Sequence, residues 1–144
     1  DNFPPPFPNQ AAARASNNGA LPPDFSVLAK ARHGGPDYIY SLLTGYEDAP
    51  AHMEMRDGSY YNPYFPGGQI SMAPPLSDEL VEYTDGSPMT MEQYSKDISA
   101  FLMWTAEPKM EERKRIGFQV MVFLVVLGGL LYFTKQKLWR DVEH

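Results

Sequence analysis

The sequence predicts a mainly α-helical protein: a head of short helices joined by long Pro/Gly-rich loops, followed by one C-terminal transmembrane helix. Three observations carry this. Ile116 to Thr134 is a run of 19 residues without a charge. Several head segments repeat apolar residues at the helical period. Between them lie most of the 14 prolines and 11 glycines of the 144-residue chain, and no long β-branched run.

The apolar run comes first because it is the clearest. As a helix it spans roughly 28 Å, close to the hydrocarbon thickness of about 30 Å. Phe118, Tyr132, Phe133 and Trp139 place aromatics toward its ends, as interfacial belts do. A core helix with so apolar a surface needs a larger chain to wrap it. Lys109, Arg113, Lys114 and Arg115 precede the run, and Lys135, Lys137 and Arg140 follow it. Four against three leaves orientation undecided by charge. Gly128 and Gly129 leave room for another helix, though Gly is common in membrane spans. The division is a head of residues 1–108 and an anchor of residues 109–140.

Within the head, four prolines among the first eight residues exclude a helix interior. Ala11 to Asn18 reads as a short helix stopped by Gly19. Phe25 to Arg32 reads as a second, with Asp24 or Ser26 near its N-cap, and Gly34-Gly35-Pro36 ends it. Asp37 to Thr44 is a third, with Tyr38, Ile39, Leu42 and Leu43 on one face and Gly45 at the C′ position. Residues 49–66 are loop, with room only for short strands, and residues 67–75 are dense in turns. Leu76 to Tyr83 is a helix candidate, and Asp85-Gly86 a turn. Thr90 and Gln93 form a capping-box pattern opening a helix from Met91 to about Ala106, with Tyr94, Ile98, Phe101, Leu102 and Thr105 on its apolar face. Loops this long are usually functional or wrapped on something. The head is under-built for a core of its own, and a large cofactor, further chain or a partner surface supplies the rest.

Composition narrows the chemistry. The net charge is −6, and the head alone has five basic against 14 acidic residues, a net of −9. Nucleic acid is a poor partner for such a surface; a basic protein is a good one. Asp78, Glu79, Glu82 and Asp85 concentrate the charge, which also serves solubility. The absence of cysteine excludes disulfides, Cys-ligated metals, thiol catalysis and covalent c-type haem attachment by this stretch. His33, His52 and His144 have no metal-pair spacing, and nothing marks a hydrolytic nucleophile.

Among eight methionines, Met53-x-Met55 beside His52 and Met89-x-Met91 are spaced like soft-metal clusters that favour Cu(I), although Met more often fills gaps. This makes a membrane-anchored copper-binding protein one alternative; a non-redox scaffold is another. Met72 differs. It lies between Gly67-Gly68 and Pro74-Pro75, in a loop stiff enough to present a thioether as an axial haem ligand. Arg32 complements a helix dipole or pairs with a buried carboxylate such as a haem propionate.

Longer strings then bear on the choice. Residues 17–24 (NNGALPPD), 31–35 (ARHGG), 38–46 (YIYSLLTGY), 61–68 (YNPYFPGG) and 72–75 (MAPP) resemble the cytochrome c1 family. So do Tyr83-x-Asp85-Gly86, Ala106-Glu107-Pro108 and Glu112-Arg113-Lys114-Arg115 leading into one span. The resemblance covers essentially the whole chain, in order. It implies a partial cytochrome c-like head and the haem c subunit of ubiquinol–cytochrome c reductase, the cytochrome bc1 complex. It implies an electron taken from the Rieske iron–sulfur protein and passed to soluble cytochrome c, with the helix anchored beside cytochrome b in a bacterial or mitochondrial inner membrane. The head then lies in the periplasm or intermembrane space. Met72 falls on the family's sixth iron ligand, Arg32 on its propionate-contacting arginine, and Asn17, Pro23 and Tyr38 on residues lining its haem pocket. The family attaches haem through Cys-x-x-Cys-His, whose His is the fifth ligand; that motif is absent here, and His33 does not match it. With Asp1 rather than Met first, the chain is expected to be the C-terminal part of such a subunit.

Overall fold

A computed structural model describes residues 3–140; His144 lies outside them. The chain divides between Glu107 and Pro108 into two compact units. In the first, α1 (Gln10–Ser16), α2 (Leu28–Ala31), α3 (Gly35–Thr44) and α4 (Met91–Ala106) are joined by long loops. Between α3 and α4, β1 (Tyr60–Tyr61) and β2 (Gln69–Ile70) form an antiparallel pair, Tyr60 opposite Ile70 and Tyr61 opposite Gln69. The second unit is a single helix, α5 (Met110–Trp139).

The core of the first unit is small. Ala29 of α2, Ile39 and Leu43 of α3, and Leu102 of α4 are buried together, with Leu28, Tyr38, Leu76, Ile98, Met103 and Ala106 packed around them. This is the apolar face the periodicity of α3 predicts. In α4 the face is broader than its apolar residues. Ser95 and Ser99 are buried as well, and their hydroxyls donate to the carbonyls of Met91 and Ser95 at 2.7 Å, so no polar group is stranded. Phe101 points the other way. It is 51% exposed and lies between Phe3 and Trp104, at ring-centre distances of 6.2 and 6.1 Å.

Helix ends follow side-chain chemistry. Asn9 caps α1 by accepting from the Ala12 N–H at 2.9 Å. Thr90 caps α4 by accepting from the Gln93 N–H at 3.3 Å. The reciprocal half of that capping box is missing, because the Gln93 amide donates instead to Asp97 Oδ1 at 3.1 Å.

Three expectations are corrected. The helix over residues 25–32 contracts to Leu28–Ala31, because Asp24 Oδ1 takes both the Ser26 N–H (2.8 Å) and the Ser26 hydroxyl (2.5 Å) in a local turn. Those two bonds, the hydroxyl first, hold the Asp24 carboxyl below its usual range. The helix over residues 76–83 does not form. Glu79 adopts φ +59°, the Val81 N–H and carbonyl both bond to the Tyr94 hydroxyl (3.1 and 2.6 Å), and Asp78 Oδ1 receives the Met91 N–H. The segment's bonds are spent on α4 rather than on itself. Gly45 ends α3 at φ −98°, not in the left-handed region. Its missing side chain serves close approach: a Cβ there would lie 2.4 Å from Tyr64 Cδ2 and 2.5 Å from the Ser41 carbonyl oxygen.

The turn at Asp85-Gly86 forms as expected. The Ser87 N–H donates to Asp85 Oδ1 at 3.0 Å and Gly86 takes φ +81°. α5 extends the apolar run at both ends to 30 residues, none of them buried, and is long and apolar enough to cross a membrane.

Candidate functional site

Met72 sits two residues after β2, in a bend between Ser71 and Ala73, and is half-buried. Its surroundings are built by three separate pieces of chain. The first is the segment leaving α3, where the Tyr46 hydroxyl donates to the Met72 carbonyl oxygen at 3.1 Å, across 26 residues. Burial pushes the Tyr46 hydroxyl up to about 12. The second is the turn after α1. Asn18, at φ +50°, donates its amide to the Gly58 carbonyl at 2.7 Å and reaches the Ser71 carbonyl at 3.5 Å. The third is the hairpin itself.

The hairpin is fixed by Asn62, which is fully buried. Its Nδ2 donates to the Leu42 carbonyl of α3 at 2.7 Å, and its Oδ1 accepts from the Tyr64 N–H at 3.1 Å. Its backbone N–H donates to Gly68 O at 2.9 Å, and its carbonyl accepts from the Phe65 N–H at 3.1 Å. All four bonds tie the residue 62–68 turn to itself and to the core helix. Gly68, at φ +72°, lets the chain turn back beneath Tyr61 and Met53. Neither Asn62 nor Tyr46 stands out as a site residue in the sequence. The available signal was Asn62-Pro63, an Asx-turn pattern, which reads as surface turn rather than as a fully buried polar side chain.

The other sequence-predicted residues occupy three places. Asn17 follows α1, donates to the Ala20 carbonyl at 3.1 Å, and adjoins Asn18, which reaches the Met72 loop. Arg32 and Tyr38 flank the glycine pair between α2 and α3. Arg32 is exposed, and among the described residues its guanidinium bonds only the Ala31 carbonyl, at 3.3 Å. Tyr38 is half-buried against the core and lies over Gly34, whose φ is +87°. Pro23 lines a cavity of about 860 Å³ with Phe3, Phe7, Ala13, Leu21 and Phe25. None of the other four residues lines that cavity.

The methionine pairs have separate surroundings. Met53 packs near Gly68, whereas Met89 and Met91 flank the α4 cap, with backbone bonds to Glu79 and Asp78. Among the described residues no three His, Asp or Glu side chains are grouped to hold a metal ion.

The model described as the Cytochrome C1 family matches residues 1–142. The chain belongs to the cytochrome c1 family. The fission yeast Schizosaccharomyces pombe protein named "Cytochrome c1, heme protein, mitochondrial" is 52% identical over 144 residues, covering all of this chain and 47% of that protein. "Cytochrome b/c1" of Bradyrhizobium diazoefficiens is 53% identical over 160 residues, covering 98% of this chain and 23% of that protein. The "Cytochrome b-c1 complex catalytic subunit, mitochondrial" of Candida albicans is 50% identical over 145 residues, covering 100% and 50%. The chain thus spans about half the length or less of these cytochrome c1 relatives. The chain as a whole is mainly helical, with one long apolar helix at its C-terminal side, consistent with this family.

Proposed function

We propose that this chain supplies the methionine side of a haem c site in an electron-transfer subunit of ubiquinol–cytochrome c reductase. In this reading it accepts an electron from a Rieske iron–sulfur protein and delivers it to a soluble cytochrome c. The observation that carries the reading is Met72: a half-buried thioether on a loop whose backbone is held from two sides by residues distant in sequence.

The residues present suit one side of the group. A thioether is a soft axial donor for haem iron, and opposite an imidazole it raises the potential. Arg32, exposed and with no acidic partner among the described residues, suits a propionate. Asn17, Pro23 and Tyr38 are available as walls, and Leu21 and Phe25 expose apolar surface beside Pro23. Covalent attachment and the imidazole ligand need Cys and His that these 144 residues do not provide in the required motif. Haem, when bound, supplies one-electron redox chemistry; the chain's part is to bind, orient and shield.

The partners follow from the relatives' names and from charge. One relative's name joins cytochromes b and c1, and another's names the b–c1 complex. The head's net charge of −9 suits a basic soluble cytochrome c. α5 serves as a single-pass anchor in a bacterial or mitochondrial inner membrane, the head lying in the periplasm or intermembrane space.

The test is a haem stain of denatured membrane protein, followed by peptide mapping of the stained band. Peptides of this chain in a band that keeps its haem support the reading. Recovery of those peptides only from haem-free bands overturns it.

A further inference from the structure

We infer that Tyr46 is a positioning residue for Met72, its hydroxyl setting the peptide plane from which the thioether is presented. The inference rests on the reading of Met72 as an iron ligand and assigns to Tyr46 a role in that site.

The prolines stiffen the loop but offer the Met72 carbonyl no donor. Pro74 and Pro75 have no N–H to donate, and Gly67 and Gly68 both take positive φ, 81° and 72°. The hydrogen bond to the Met72 peptide comes from outside the loop. The Tyr46 hydroxyl provides it, at 3.1 Å from the Met72 carbonyl oxygen.

Tyr46 is well placed for this. It lies two residues beyond α3, whose Ile39 and Leu43 are core residues. It follows Gly45, where the Tyr64 ring packs so closely that no side chain fits. Glu47, next along, pairs its N–H with the Tyr61 carbonyl of β1 at 3.4 Å. The ring therefore stands on the rigid side of the head, and the loop hangs from its hydroxyl. On the other flank the Asn18 amide approaches the Ser71 carbonyl, so consecutive peptides of the loop are contacted by different parts of the fold.

The experiment uses the intact, haem-loaded membrane complex. Tyr46→Phe removes one oxygen and keeps the ring. Three quantities are read: the far-red charge-transfer band of thioether-ligated ferric haem, the midpoint potential, and the rate at which the ferrous haem takes up carbon monoxide. The expected result is about a fivefold rise in the methionine-dissociated population, the effect of one lost neutral hydrogen bond. Carbon monoxide uptake rises by the same factor, the band weakens and the potential falls. Tyr94→Phe is the control, because its hydroxyl bonds the Val81 backbone rather than the Met72 loop; it should leave all three unchanged.

Met72→Leu separates the two layers of the argument. If it abolishes the band while Tyr46→Phe changes nothing, the positioning role is wrong and the ligand stands. If it leaves the band intact, the ligand assignment itself is wrong. Equal effects of Tyr46→Phe and Tyr94→Phe also overturn the inference, as does a Tyr46→Phe subunit that fails to accumulate, since the hydroxyl is then a general folding requirement.

Discussion

Replacing Asn62 should loosen the Met72 hairpin far more than the residue's polarity suggests. The side chain is fully buried and makes two hydrogen bonds, to the Leu42 carbonyl at 2.7 Å and from the Tyr64 N–H at 3.1 Å. Asn62→Ala leaves the part-buried Leu42 carbonyl and the Tyr64 N–H without these partners, at up to about 1.5 kcal/mol each. A combined loss near 3 kcal/mol is a factor of about 10² in a local opening equilibrium. Hydrogen exchange of the amides between residues 60 and 70 in the intact subunit reads that equilibrium directly. The Phe65 and Gly68 amides, which close this turn at 3.1 and 2.8 Å, should exchange about 10²-fold faster. The amides of α5 should not change. Asn62→Asp sharpens the test. The introduced carboxylate cannot donate to Leu42 and is buried without a cation, so its folded-state pKa lies above the unfolded value. Stability is then highest below the unfolded pKa and is lost as pH rises through the folded one. Exchange within about twofold of the parent for Asn62→Ala, a gap of only about 0.4 kcal/mol, would refute the claim that this residue pins the loop to α3.

Two further perturbations probe the same region. Gly45→Ala places a methyl group 2.4 Å from Tyr64 Cδ2 and 2.5 Å from the Ser41 carbonyl, so the head should lose about 1–3 kcal/mol in chemical denaturation. Adding Tyr64→Ala should recover only part of that, because the backbone oxygen remains; full recovery contradicts the geometry. High pH gives the other. The Tyr46 hydroxyl is raised from 10.0 to about 12 by burial. Its stabilising contribution is complete below pH 10 and disappears as pH rises toward 12. Tyr46→Phe should flatten the stability decline in that window, and an unchanged slope argues against it.

Much of the architecture is legible in the sequence where one physical cause dominates. An uncharged run the length of a bilayer is also the core of a long helix, and Thr90 caps α4 because its hydroxyl reaches an orphan N–H of the first turn, that of Gln93. The α3 face is readable because Ile39 and Leu43 recur at helical spacing and are buried. Failure comes where side chains compete for backbone groups. Asp24 captures Ser26 and shortens α2, and the Tyr94 hydroxyl captures the Val81 backbone and prevents a helix. The second choice is not visible in local propensity, since it spans 13 residues. Around Met72 the loop ends are readable from Gly67-Gly68 and Pro74-Pro75. What holds the loop is not, because Tyr46, Asn18 and Asn62 act over distances of 20 to 53 residues. Asn62 in particular carries the composition of a surface turn and the burial of a core residue.

The central claim is that Met72 is the thioether face of a haem c site. A potentiometric titration of the complete membrane complex carrying Met72→Leu tests it most directly. Leucine fills similar volume and offers no donor, so loss of the soft axial ligand should lower the haem potential, abolish the far-red thioether band and impair turnover with soluble cytochrome c. An unchanged titration and an intact band would contradict the account.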